Sequence, residues 1–233
     1  MSIAHFGVYA SLWLLTANGN ETETHRIILY FALFFGILDR LQSGKVADNM
    51  GRAINFSDID QWLLKPIYYP AVEVCDSIGR LIARIIFPII IFISLSFIRP
   101  EIFAPAGATN LLLFILFSFL GFILWNLLII TLGSLAFWFL EIDNLMTVFD
   151  LILHFLKGRF IPAFLFPIWL TGILKYTFVP YLISLPISTY MGESDSPAIL
   201  TALQVSFLWI LILAALAGFT YKSGLKRYES HSA

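Results

Sequence analysis

Hydrophobic residues gather in six stretches separated by short polar segments. The longest, Leu111–Leu140, carries no charged residue. As a helix it would run about 45 Å, against the ~30 Å hydrocarbon core of a bilayer, so it predicts a tilted or overlong membrane span. Ala198–Phe219 predicts another, followed by the basic tail Lys222, Lys226 and Arg227. A third runs from Ile78 to Ile98. Arg80 and Arg84 stand one helical turn apart near its start, where they can reach one interface, and Pro88 predicts a kink. His25–Asp39, with the apolar core Ile27–Leu38, predicts a shorter span, and Asn144–Arg159 a weaker one. Ile3–Ala17 has ~15 residues where a span needs ~20. It either lies obliquely or belongs to a helix that was once longer, which reads as a truncated or late start. No basic residue precedes it and no small-x-small site follows, so it does not read as a cleavable signal.

Phe160–Met191 is also apolar but is broken by Pro162, Pro167, Pro180 and Pro186. One straight helix does not tolerate that spacing. The segment 160–191 instead predicts a short helix–turn–helix that dips into the membrane, its backbone shielded from lipid by protein.

Composition turns these stretches into a membrane protein. Of 233 residues, 59% are hydrophobic and 12% charged. Soluble domains carry about 45–50% apolar and about 25% charged residues, so the charges here are too few to cover a water-facing surface. The expected fold is all-α: one transmembrane helical bundle over 1–233 with about six spans. Six spans put the loop Asp39–Arg84, the turn Glu141–Asn144 and the C-terminal tail on one side. That side has nine Lys and Arg, while Arg26, Arg99, Lys157, Arg159 and Lys175 fall on the other. Basic loops stay in the cytoplasm, which assigns the first side there.

Charge and cysteine usage exclude several classes. A net charge of −1 without a basic block gives no footprint for nucleic acid. Cys75 is alone, so neither a disulfide framework nor a cysteine zinc cluster exists, and it reads as a small apolar filler. His5, His25 and His231 are too scattered for a metal site. Gly44-Lys45-Val46 lacks the upstream glycine and the hydroxyl residue of a phosphate-binding loop, so no ATP site of that kind is expected. No hydrolytic motif is present, and the chain is not expected to be an enzyme or to bind a cofactor.

Two polar groups stand out. In the cytoplasmic loop 40–80, Ser57-Asp58-Ile59-Asp60 reads as a helix N-terminus with acids at its positive end. Ile59, Trp62 and Leu63 follow at i, i+3 and i+4, and Pro66 ends the helix at Lys65. This two-turn helix either rests on lipid headgroups or docks a cytoplasmic partner, and periodicity does not choose. Asp150, His154 and Lys157 are spaced along one face of the fifth stretch. They are either a proton relay or substrate contact, or an Asp–His pair satisfied inside the bundle with Lys157 and Arg159 at the outer interface. Arg80 and Arg84 either bind an anionic substrate or lipid, or simply anchor their helix. Asn126 is expected to bond to another helix. Asn20-Glu21-Thr22 matches a glycosylation sequon, a pattern common by chance.

Ile59-Asp60-Gln61-Trp62-Leu63-Leu64-Lys65-Pro66, with Tyr69-Pro70 and Gly79-Arg80 after it, resembles the loop behind the second span of ATP-binding-cassette exporter permeases of the type-2 class (ABC-2). The likeness is to the prokaryotic subgroup without a fused ATPase. It continues in Phe137-Trp138, Lys157-Gly158-Arg159-Phe160-Ile161-Pro162, Phe166-Pro167-x-Trp169-Leu170, Pro186 and Gly224-Leu225-Lys226-Arg227-Tyr228-Glu229, covering about 27–229. The resemblance implies a six-helix half-transporter in a prokaryotic inner or plasma membrane, C-terminus cytoplasmic. It would pair with a second permease, identical or related, and with two cytoplasmic ATPase subunits that use the ATP. Ser57, Ile59, Asp60, Trp62, Leu63 and Lys65 would form the coupling helix against the ATPase. Gly158, Pro162, Pro167 and Trp169 would mark a re-entrant external element. Family members begin with a basic segment and a full first span, which this chain lacks, and Asp150 and His154 are not part of the family pattern. Two other readings remain: a proton-coupled secondary transporter using Asp150 and His154, and a non-transporting membrane assembly factor.

Overall fold

The computed structural model describes residues 2–14, 20–42, 45–56, 58–139 and 142–232. Residues 15–17 of the first apolar stretch, Gly44, Ser57, Leu140 and Glu141 lie outside that set. The described residues are helical nearly throughout and include no strand. In chain order the helices are α1 (Ser2–Leu14), α2 (Glu21–Leu33), α3 (Val46–Asn55), α4 (Asp60–Leu63), α5 (Tyr69–Ile98), α6 (Ala108–Ser134), α7 (Ile142–Leu156), α8 (Ile168–Leu174), α9 (Val179–Leu182), α10 (Ser184–Tyr190) and α11 (Ser196–Ser232). Short helical turns join some of them, and α2 continues through a π-helical turn, Phe34–Leu38, and Asp39–Leu41.

Among the described residues, four segments are long and apolar enough to cross a bilayer: Glu21–Asn55, Tyr69–Ile98, Ala108–Phe137 and Ser196–Glu229. The described portions of the other two expected spans are shorter. At 13 and 15 residues, α1 and α7 reach about 20 and about 22 Å, less than the ~30 Å hydrocarbon core. Among the described residues the bundle has six rods, four of them of crossing length.

Helix α6 is the axis. Phe114, Phe117, Leu120, Leu124, Trp125 and Leu128 along it are all buried, and α11, α3, α10 and α9 pack around it. Gly121 permits the closest of these approaches, since a Cβ there would stand 2.9 Å from the Tyr181 carbonyl oxygen. Helices α5 and α11 instead turn rows of Ile, Leu and Phe outward. Apolar surface of that extent requires lipid or another membrane helix against it.

Local sequence explains the helix ends. The sequon turns out to be a helix cap: Asn20 Oδ1 accepts hydrogen bonds from the Thr22 backbone N–H at 3.2 Å and from its hydroxyl at 2.7 Å. Glu21 and Glu23 then sit in the first turn, where the helix dipole favours acids. α5 runs on through Pro88. Cys75 lies exposed on α5 rather than filling a core gap. Asn126 bonds not to another helix but to its own, donating to the Phe122 carbonyl at 2.8 Å. One N–H of the amide is thereby used within α6.

Candidate functional site

The loop 40–80 folds into an elbow. Its main element is α3, which the sequence reading passed over. Val46, Ala47, Met50, Gly51, Ala53 and Ile54 are buried on it, and Asp48, Asn49, Arg52 and Asn55 stand between them. α3 packs across the end of α6. Glu73 ties it to α5, accepting hydrogen bonds from Asn49 Nδ2 and from the Tyr69 hydroxyl, both at 2.9 Å.

The expected coupling helix is one turn, α4, rather than two. Ile59, expected as a docking anchor, is fully buried in the chain's own core. Its N–H donates to the Ala53 carbonyl at 2.9 Å, fixing α4 to α3. Trp62 packs on the Tyr69 ring at 5.7 Å, and the Lys65 ammonium sits 4.4 Å over the indole. Asp60 accepts from the Tyr228 hydroxyl at 2.9 Å, joining the elbow to the C-terminal end of α11. The residues that project are neighbours of the expected anchors: Phe56 is 75% exposed and Leu64 89%, with Leu63 at 37%.

Residues 158–191 form a hairpin that enters the bundle halfway and returns. Phe164, six residues in, and Glu193, just past its end, both meet Arg26 near the start of α2. The guanidinium lies 4.1 Å over the Phe164 ring and pairs with Glu193 at 2.8 Å. The tip is much deeper. Tyr176 accepts from Trp209 Nε1 at 3.0 Å, and Tyr181 lies against Gly121. Trp209 and Gly121 each stand about 20 Å along their helices from that end. Pro167 caps the N-terminus of α8 and Pro180 lies in the first turn of α9, so these two prolines start short helices, whereas Pro186 lies within α10. Gly158 opens the hairpin with φ +87°, a left-handed conformation, and Tyr30 donates to its carbonyl at 3.2 Å. Pro162 is buried, while Pro167 and Trp169 lie on the exposed side of the hairpin.

A polar cavity of about 420 Å³ lies between the end of α2, α5, Trp125 of α6, and α7. Asp150 and His154 line it: His154 Nδ1 lies 2.6 Å from the Asp150 carbonyl and 3.7 Å from its carboxylate. Lys157 and Arg159 were expected at the outer interface, and the structure moves both inward. Lys157 is 2% exposed, its ammonium 4.1 Å over the Trp125 ring and 3.3 Å from Gln42 Oε1. Arg159 pairs with Asp39 at 3.5 Å, although the charge count put them on opposite sides. Both follow directly on α7, whose C-terminal end at Leu156 lies inside the bundle. Gln42 was not singled out in the sequence, yet it joins two regions, because its Nε2 also donates to the Leu182 carbonyl at the hairpin tip, at 2.6 Å. One polar residue beside the charged pair Asp39-Arg40 was the only available signal.

No curated protein and no solved structure matches this chain. A family model described as "ABC-2 family transporter protein" matches residues 18–232, nearly the whole length. It spans the elbow, the half-depth hairpin and the C-terminal helix alike. A multi-pass helical bundle with this match is a membrane transport component of permease type, and the chain belongs to the ABC-2 transporter family.

Proposed function

We propose that the chain is the membrane-spanning subunit of an ATP-driven exporter, coupled to a separate cytoplasmic ATPase and paired with a second permease. The observation that carries this reading is the elbow, which presents Phe56 and Leu64 outward from a turn that is fixed from behind. Apolar side chains on a rigid support are what a partner's groove can grip. A push on α4 passes through the Ile59–Ala53 hydrogen bond to α3, and from α3 to α6 and α5. ATP binding and hydrolysis in the partner thereby move the bundle, while this chain supplies the path and no nucleotide chemistry. With Lys157 and Arg159 inside the bundle and Lys175 at the hairpin tip, the outer tally keeps Arg26 and Arg99 against nine on the elbow side. That sharper split favours an elbow and C-terminus in the cytoplasm of a prokaryotic plasma membrane, and a hairpin that opens outward.

The test is co-purification of the full-length chain from host membranes in mild detergent. A cassette ATPase should accompany the wild type. Leu64→Asp and Phe56→Asp should each reduce it roughly tenfold or more, with membrane insertion intact. Undiminished ATPase with both variants would reject the docking surface. Uptake by ATPase-free vesicles, driven by a pH gradient and lost in Asp150→Asn, would favour the proton couple instead.

A further inference from the structure

The cavity walled by α2, α5 and α7 is unbalanced in charge. Lys45, Arg80, Arg84, Lys157 and Arg159 line it against two carboxylates, Asp39 and Asp150. Arg159 is matched by Asp39, and Arg80 by Asp76 on its own helix. Lys157 is different: its ammonium is buried against Trp125 and Gln42, with no carboxylate of the described residues within 4 Å. A buried ammonium held only by a ring face and one amide oxygen has donors to spare, and an oxyanion is the group that takes them. At about 420 Å³ the cavity has the size of a small-molecule site.

A second cavity adjoins it. A groove of about 630 Å³ runs between α1, α2 and α5, lined by apolar residues such as Ala32, Phe35, Phe87, Ile91 and Leu95, and it starts at Arg40. Two contacts mark the common boundary. Arg40 donates to the Arg84 carbonyl at 3.5 Å, and the Arg159 guanidinium lies 5.4 Å over the Phe35 ring. Positive charge therefore stands at one end of a greasy trough, a polarity that suits one charged head on one chain and not an apolar helix.

We infer that the α2–α5–α7 cavity binds the oxyanion head of an anionic amphipath, whose hydrocarbon chain lies in the adjoining groove. The inference rests on the transporter reading and names its class of cargo. Binding needs neither ATP nor an ATPase, so it can be measured where coupling has failed.

The full-length chain in phosphatidylcholine nanodiscs is titrated with radiolabelled dodecyl phosphate, empty discs being subtracted. Saturable binding is expected. Lys157→Gln should weaken it roughly tenfold, and Lys157→Arg should largely restore it. Lys45→Gln, at an exposed wall position, should weaken it as well and serves if Lys157→Gln does not fold. Asp150→Asn should tighten it by removing negative charge from the same wall, a change of sign that a merely structural role would not produce. Equal binding of dodecyltrimethylammonium, or unchanged affinity in both glutamine variants, would overturn the inference. So would displacement by inorganic phosphate as effective as by dodecyl phosphate, since the groove would then contribute nothing.

Discussion

Gly158→Ala is expected to lower the apparent melting temperature of the full-length chain in detergent by on the order of 10 °C. Two costs combine. At φ +87° a Cβ meets the following carbonyl, which disfavours an L-residue by roughly 1–2 kcal/mol. The new methyl would also land inside the van der Waals shell of the Tyr30 hydroxyl, with the Ala163 nitrogen at 3.2 Å and the Ile161 oxygen at 3.3 Å on its other sides. Tyr30 is buried and cannot swing away without giving up its hydrogen bond to Gly158. Strain of this kind adds about 1–3 kcal/mol, for a total near 3–5 kcal/mol. Tyr30→Phe supplies the control. Alone it removes two long hydrogen bonds, to the Gly158 carbonyl and from the Ala163 N–H, and should cost about 1–2 kcal/mol. Combined with Gly158→Ala it relieves the clash, so the double variant should be more stable than the sum of the two losses. A Gly158→Ala protein that melts within ~2 °C of the wild type would remove the left-handed turn from the account.

The Gly158 turn also marks where sequence and structure part. Long rods were legible because apolar composition and length carry the signal by themselves: α5, α6 and α11 cover the apolar stretches that predicted them, α5 starting nine residues earlier. The broken character of 160–191 was legible for a similar reason, because proline acts locally on the backbone. Depth was not. Nothing in the periodicity of Asn144–Arg159 says that the end of its helix stops inside the bundle, which is why Lys157 and Arg159 were placed at the wrong level. The elbow shows a second limit. Ile59, Trp62 and Leu63 share a helical face, and that pattern marks a buried face without saying what buries it. Here the chain's own α3 and Tyr69 cover part of it, leaving Phe56 and Leu64 outward. α3 was passed over because its charged residues interrupt the apolar ones, as they do in any short amphipathic helix.

The same misplacement leads to a second large effect. Arg159→Met should destabilise the bundle by about 2–3 kcal/mol, somewhat below the ~3–5 kcal/mol for breaking a fully buried ion pair, because both side chains keep about a fifth of their surface exposed. The loss comes from the partner left behind: Asp39 would stay in the wall of the polar cavity with its counter-charge gone. Asp39→Asn should cost a similar amount from the other side. If the two residues meet as the structure has them, the double variant Asp39→Asn/Arg159→Met should be less damaged than the two single losses added together, and the exchange Asp39→Arg/Arg159→Asp should recover part of the stability. Thermal or denaturant unfolding of the four proteins in one detergent reads this directly. Strictly additive losses, with no recovery on exchange, would mean that α7 carries Arg159 away from Asp39, and the inward placement of its C-terminal end would fall with it.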